Sequence, residues 1–282
     1  MSRAGRAQQW LFPPVPLARV AVLRALLYPY VVLDVLFVAN DVLPHSLVPD
    51  LYRPTLLARL LNLPPLPPWL ADVLLVVLVS ACVAAVLGRA QRVAGWVVAV
   101  AFWCWMLNSQ GFSYVSHDHM ALMVATAVLP TVGRAGYRDT STSQAAGWAL
   151  RCIQVFVVAT YFGSALSKWA RTGSLAAWAN GSVFTWAIMR RGSPLVTWTL
   201  DLPYLLRAGQ WGLLVLELLS PLAFVLRGRR LAVWVGLFLV FHLATFVALG
   251  IHFLPTVVCW LAFAPLERLV PAGERRLAPT RP

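Results

Sequence analysis

Residues 161–182 read YFGSALSKWARTGSLAAWANGS. The stretch opens as the end of a long apolar run and turns into a polar segment containing Gly and Trp. An apolar run that stops sharply at one cation reads as a helix leaving a membrane. That cation is Lys168, the only lysine among 23 Lys and Arg residues. Arg stays charged in any protein site, whereas Lys loses its proton when desolvated. A position that keeps Lys against a background of Arg is a candidate base or nucleophile. A lysine at a helix end also snorkels, with its head among the lipid headgroups. Position alone favours the snorkelling role, and the rarity of lysine narrows the gap.

Composition extends the membrane reading to the whole chain. The 282 residues are 60% hydrophobic and 12% charged, with mean hydropathy +0.73. Soluble domains carry about twice that charged share. The expected fold is all-α, a polytopic integral membrane bundle of about eight transmembrane helices, because only helices and closed barrels satisfy the backbone in lipid. The net charge of +13 lies between apolar runs. That places it against the lipid bilayer's anionic headgroups and not on a nucleic acid. Cys82, Cys104, Cys152 and Cys259 all lie within apolar runs and form no CxxC, so no zinc or redox motif is read.

In order, residues 1–16 are a basic leader and residues 17–266 the transmembrane domain. The first span, about 17–43, holds Arg24 and Asp34 and lacks a small-residue cleavage site, so it is expected to be retained. These two residues stand about 15 Å apart along a helix axis and are not expected to pair with each other. A buried tether to another span is the expectation for Asp34. After a Pro-rich loop, spans are expected at about 70–87, 93–107, 115–132 and 146–167. Residues 168–208, with Trp178, Trp186 and Trp198, read as an outer interfacial or re-entrant segment. Three further spans follow, at about 209–226 with Glu217, 231–251 with His242 and 253–266, and then a tail, 267–282. Glu217 is expected to be a buried partner for an Arg or His.

Arginine placement orients these spans. With both termini cytoplasmic, Arg89, Arg92, Arg134, Arg138, Arg227, Arg229 and Arg230 are internal, and the outer links 108–116 and 250–254 carry no Arg or Lys. His117, His119, Lys168, His242 and His252 then share the outer half of a cell-membrane protein. Titratable groups gathered within a bundle in lipid mark a pathway or pocket. Each histidine also has a plain packing role available between helices.

Four motifs, in order, resemble the HTTM (horizontally transferred transmembrane) domain shared with vitamin K-dependent gamma-carboxylase. LRALLYPYVVLD carries Arg24 and Asp34; SHDHMAL carries His117, with Ser116 in place of an Asn. YFGSALSK places Lys168 seven positions after Tyr161 and runs on to WANG (178–181). FHLATFVALGIHFLP places His242 thirteen positions before Pro255. The resemblance implies that Lys168 is the base that deprotonates a reduced quinone of the vitamin K or menaquinone type. His117 and His242 would then act beside it in catalysis, and Tyr161, His119, Trp178 and His252 would contact the quinone. Arg24, Asp34 and Glu217 would be structural polar residues.

The family's reaction consumes oxygen, forms a quinone epoxide and drives carboxylation of a glutamate. The sequence runs only from 267 to 282 beyond the last span, so the expectation is quinol chemistry without the family's large lumenal substrate domain. Apart from the resemblance, no cofactor or metal site is read from the residues. A non-enzymatic quinone- or lipid-binding protein, or a subunit of a membrane complex, is the alternative. A transporter is disfavoured because no internal repeat is visible.

Overall fold

The computed structural model describes residues 3–112 and 117–270, the side chains of residues 3 and 4 excepted. Ser116 and the tail from 271 onward lie outside the described residues. The chain is mostly helical. α1 (Arg3–Leu11) leads through β1 (Val15–Pro16) into α2 (Leu17–Leu33), which runs on as a π turn, Asp34–Val38. α3 (Val42–His45) and α4 (Leu56–Leu60) are short; α5 (Pro68–Val86), α6 (Gln91–Ser109) and α7 (Met120–Val128) follow. β2 (Thr142–Ser143) precedes α8 (Gln144–Thr172), and the two strands pair antiparallel, Val15 with Ser143 and Pro16 with Thr142. α9 (Leu175–Trp178), α10 (Ser182–Arg191), α11 (Pro203–Leu218), α12 (Gly228–Leu249) and α13 (Leu254–Cys259) complete the order.

Four helical stretches among the described residues are long and apolar enough to cross a membrane: Leu17–Val38, Pro68–Val86, Gln144–Thr172 and Gly228–Leu249. Two boundaries differ from the sequence reading. α8 does not stop at Lys168 but runs to Thr172. The residues beyond Lys168 are ordinary helix formers, and the stop comes at Gly173, whose φ of +76° suits a residue without a Cβ. α11 begins at Pro203 and not at 209, since proline at a helix start loses no hydrogen bond and is set at the right φ.

The described chain divides into two compact units. The first comprises Met1–Ser116, Leu122–Ile153 and Leu261–Pro282. Here α5 packs against α6 and α2, around the fully buried Tyr28, Phe102, Trp105 and Leu78. Arg24 is buried, and its guanidinium donates to the Leu129 and Gly133 carbonyls, the latter at 2.7 Å. It ties down both ends of the turn Leu129–Val132, which the Gly133 N–H closes on the Pro130 carbonyl. Asp34 is fully buried at the start of the π turn. Arg19 Nε and Glu267 Oε2 form an ion pair at 2.7 Å. Those hydrogen bonds hold the Glu267 carboxyl below the usual carboxylate range.

The second unit comprises His117–Ala121 and Gln154–Trp260. α10 packs on α11 and α12, and α13 packs on the turn His117–His119. Thr256 Oγ1 donates to the Asp118 carbonyl at 2.6 Å, which fixes that turn against α13.

Candidate functional site

Three helices of the second unit turn one face each toward a common space. On α8, Tyr161, Ser164 and Lys168 recur at intervals of three and four, so they stack on one side of the helix. On α11 the same rule aligns Leu206, Gly209, Leu213 and Glu217, and on α12 it aligns Phe241, Thr245 and Ala248. Together with α10 and the segments around His117 and Phe253 they line a half-open cavity of about 680 Å³. Its wall is mostly apolar.

One polar group of the wall is centred on Lys168. Its Nζ donates to Glu217 Oε1 at 2.5 Å and to Ser164 Oγ at 2.9 Å. Ser164 Oγ in turn donates to Glu217 Oε1 at 3.2 Å. The ammonium also lies 4.7 Å from the centre of the Trp178 ring, within reach of a cation–π contact. The two side chains are 16% and 8% exposed, so this is a largely buried ion pair.

A second group is centred on Tyr161. Its hydroxyl lies 2.6 Å from His242 Nε2 and accepts from Trp260 Nε1 at 3.1 Å. Rings of Phe238, Trp260 and Phe253 pack around this pair, Phe253 lying 5.1 Å from His242. An apolar cavity with a few placed polar groups is the ordinary form of a small-molecule site.

Lys168, His117, His242, Tyr161, Trp178 and Glu217 all line this cavity. His119 and His252 do not. His119 Nδ1 lies 3.4 Å from Asp118 Oδ1, and His252 stands between two wall residues, Ile251 and Phe253. Arg24 and Asp34 belong to the first unit. One expectation, about Glu217, is corrected. The partner of Glu217 is Lys168, not an Arg or His. The neighbours of Lys168 on α8, Leu166 and Trp169, are 45% and 54% exposed. Because α8 remains helical, those two side chains leave on other faces while Ser164 stays beneath Lys168.

Ser164, Trp260 and the wall glycines Gly209 and Gly212 escaped the sequence reading. Ser164 had a usable signal, its position four residues before Lys168. The glycines had one too, since mid-helix glycine costs about 1 kcal/mol against alanine and calls for a packing or spatial reason. Trp260 had none, as one of 13 tryptophans. Among the described residues no group of three His, Cys, Asp or Glu side chains gathers as a metal site. No family model, curated protein or solved structure matches the chain.

Proposed function

We propose that this chain is an integral membrane protein of the HTTM type, whose cavity takes a reduced quinone as substrate and removes a proton from it. The observation that carries the reading is the buried Lys168–Glu217 pair, at 2.5 Å, in the wall of an otherwise apolar cavity. Such a pair goes from no net charge to a single positive charge on taking up a hydroxyl proton, and the oxygen anion left on the ligand balances it. The proton enters at Lys168 once the amine has passed its own to Glu217. The pair then stands as a neutral carboxyl and an ammonium, and the ammonium faces the new oxygen anion. Ser164 holds the carboxylate in place during that exchange. His117 and His242 line the same space and position the ring. The reduced quinone supplies the electrons and dioxygen the oxidant.

The test is to incubate the purified protein in lipid with reduced menaquinone and follow oxygen uptake and epoxide. Epoxide in proportion to folded protein is expected. Saturable quinone binding without any epoxide would leave a binding protein in place of an enzyme.

The same reading places eight spans in the bilayer. Beyond the four long stretches, α6, residues 117–132, α11 with its following turn and α13 with its following turn would each cross, leaving both termini cytoplasmic. Arg53 and Arg59 then join Lys168 and the arginines of 168–208 as outer exceptions to the charge rule. Reporter fusions at residue 282 and in the link 110–114 are expected to read inside and outside. An outer signal at 282 would refute the eight-span count.

A further inference from the structure

The buried face of α11 carries Leu206, Gln210, Leu214 and Glu217, at helical spacing. Leu214 packs with Ala165 and Ala179, and Trp178 lies against the same cluster. Glu217 meets Lys168. Gln210 stands out in this row as an amide with no exposed surface. Its Nε2 donates to the Trp178 carbonyl at 2.8 Å, while its Oε1 has no hydrogen-bond partner among the described residues. A buried acceptor left unpaired is costly, and leucine at this position would avoid that cost. What glutamine supplies and leucine does not is the hold on Trp178. The Trp178 carbonyl lies at the end of α9, a single turn, and finds no partner within that helix. Ser174 Oγ, accepting from the Ala177 N–H at 3.0 Å, fixes the start of the same turn.

The ring of Trp178 lies 4.7 Å from Lys168 Nζ. Ser164 and Glu217, which hold the same ammonium, stand on α8 and α11, long helices that fix their own backbone. Trp178 stands on one turn, and one turn keeps no shape without outside contacts. We infer that Gln210 is a positioning residue of this site: its bond to the Trp178 carbonyl holds the indole over the Lys168 ammonium and so sets where that ammonium sits in the cavity wall. The placement of the ammonium needs no ligand; an effect on turnover rests on the quinol reading above.

Lys168 is the only lysine, so in protein labelled with ¹³C-lysine every lysine signal belongs to it. Protons over an indole face are shielded. The Lys168 Hε signal is therefore expected upfield of an ordinary lysine in the parent and near the ordinary position in Trp178→Leu. Gln210→Met keeps the volume and removes the donor. It should lose most of that upfield displacement, and epoxide formation should fall about tenfold or more, the effect of a misplaced acid–base group. Gln210→Leu gives the same reading should the Met variant not fold. Leu78→Ala, a core truncation in the first unit, should lower the thermal transition and leave the signal in place, which separates positioning from a general loss of stability. A parental signal in folded Gln210→Met overturns the inference and leaves the quinol reading standing. So does a parent signal that Trp178→Leu does not move, or one that Leu78→Ala moves as far as Gln210→Met does. A signal displaced in both Gln210 variants, with no epoxide from the parent, supports the inference and removes the enzyme reading.

Discussion

Lys168→Arg is expected to fold and enter membranes like the parent and to lose epoxide formation by about a hundredfold or more, the usual contribution of a positioned acid–base group. Arg keeps the charge opposite Glu217 but does not give up its proton, so the route through the amine closes while the ion pair persists. Glu217→Gln should lose turnover to a similar degree, because the amide holds the shape and takes no proton. Lys168→Met separates the structural role from the chemical one. It leaves the Glu217 carboxylate, 8% exposed, without its cation. Breaking such a pair costs about 3 kcal/mol, read as a lower thermal transition in detergent. Adding Glu217→Leu should return stability to within about 1 kcal/mol of the parent, since the desolvation cost of a buried pair roughly offsets its attraction. Parental turnover in Lys168→Arg would show that the proton does not pass through the amine. Parental stability in Lys168→Met would show that the pair is not held out of solvent.

Gly212→Leu is the second large effect, and it runs in opposite directions on stability and binding. A Cβ built on Gly212 meets nothing within 4 Å, and the residue lines the cavity. Leucine there gains about 1 kcal/mol of helix propensity in α11, and its side chain takes up space that a ligand would use. The thermal transition should rise while menadione affinity falls tenfold or more. Gly209 behaves otherwise, because a Cβ there meets the Phe184 ring at 3.1 Å. Gly209→Ala should strain the α10–α11 contact and give no gain in stability. Unchanged menadione affinity in Gly212→Leu would mean that the ligand does not reach the α11 wall, which would remove that wall from the proposed site.

Several features of this protein follow from sequence alone because the physics behind them is local. A run as apolar as 144–167 or 231–249 has helix as its open-ended solution in lipid, so class and rough placement need no tertiary knowledge. The alignment of Tyr161, Ser164 and Lys168 needs only the helical repeat. The rarity of lysine singles out Lys168 before any contact is known. What Lys168 touches is another matter. Glu217 lies 49 positions away, and its approach depends on α11 starting at Pro203 and on which of its faces the packing of α10 and α12 turns inward. The Tyr161 hydroxyl meets His242 and Trp260 across 81 and 99 positions, with no spacing rule to link them. By sequence a packing role is favoured for His119 and His252 and stands level with a site role for His117 and His242, and it is the latter two that line the cavity. Helical periodicity sets a residue's face to within a turn, but the partner of that face is chosen by packing between segments distant in the chain, and one residue of rotation exchanges a wall position for a covered one.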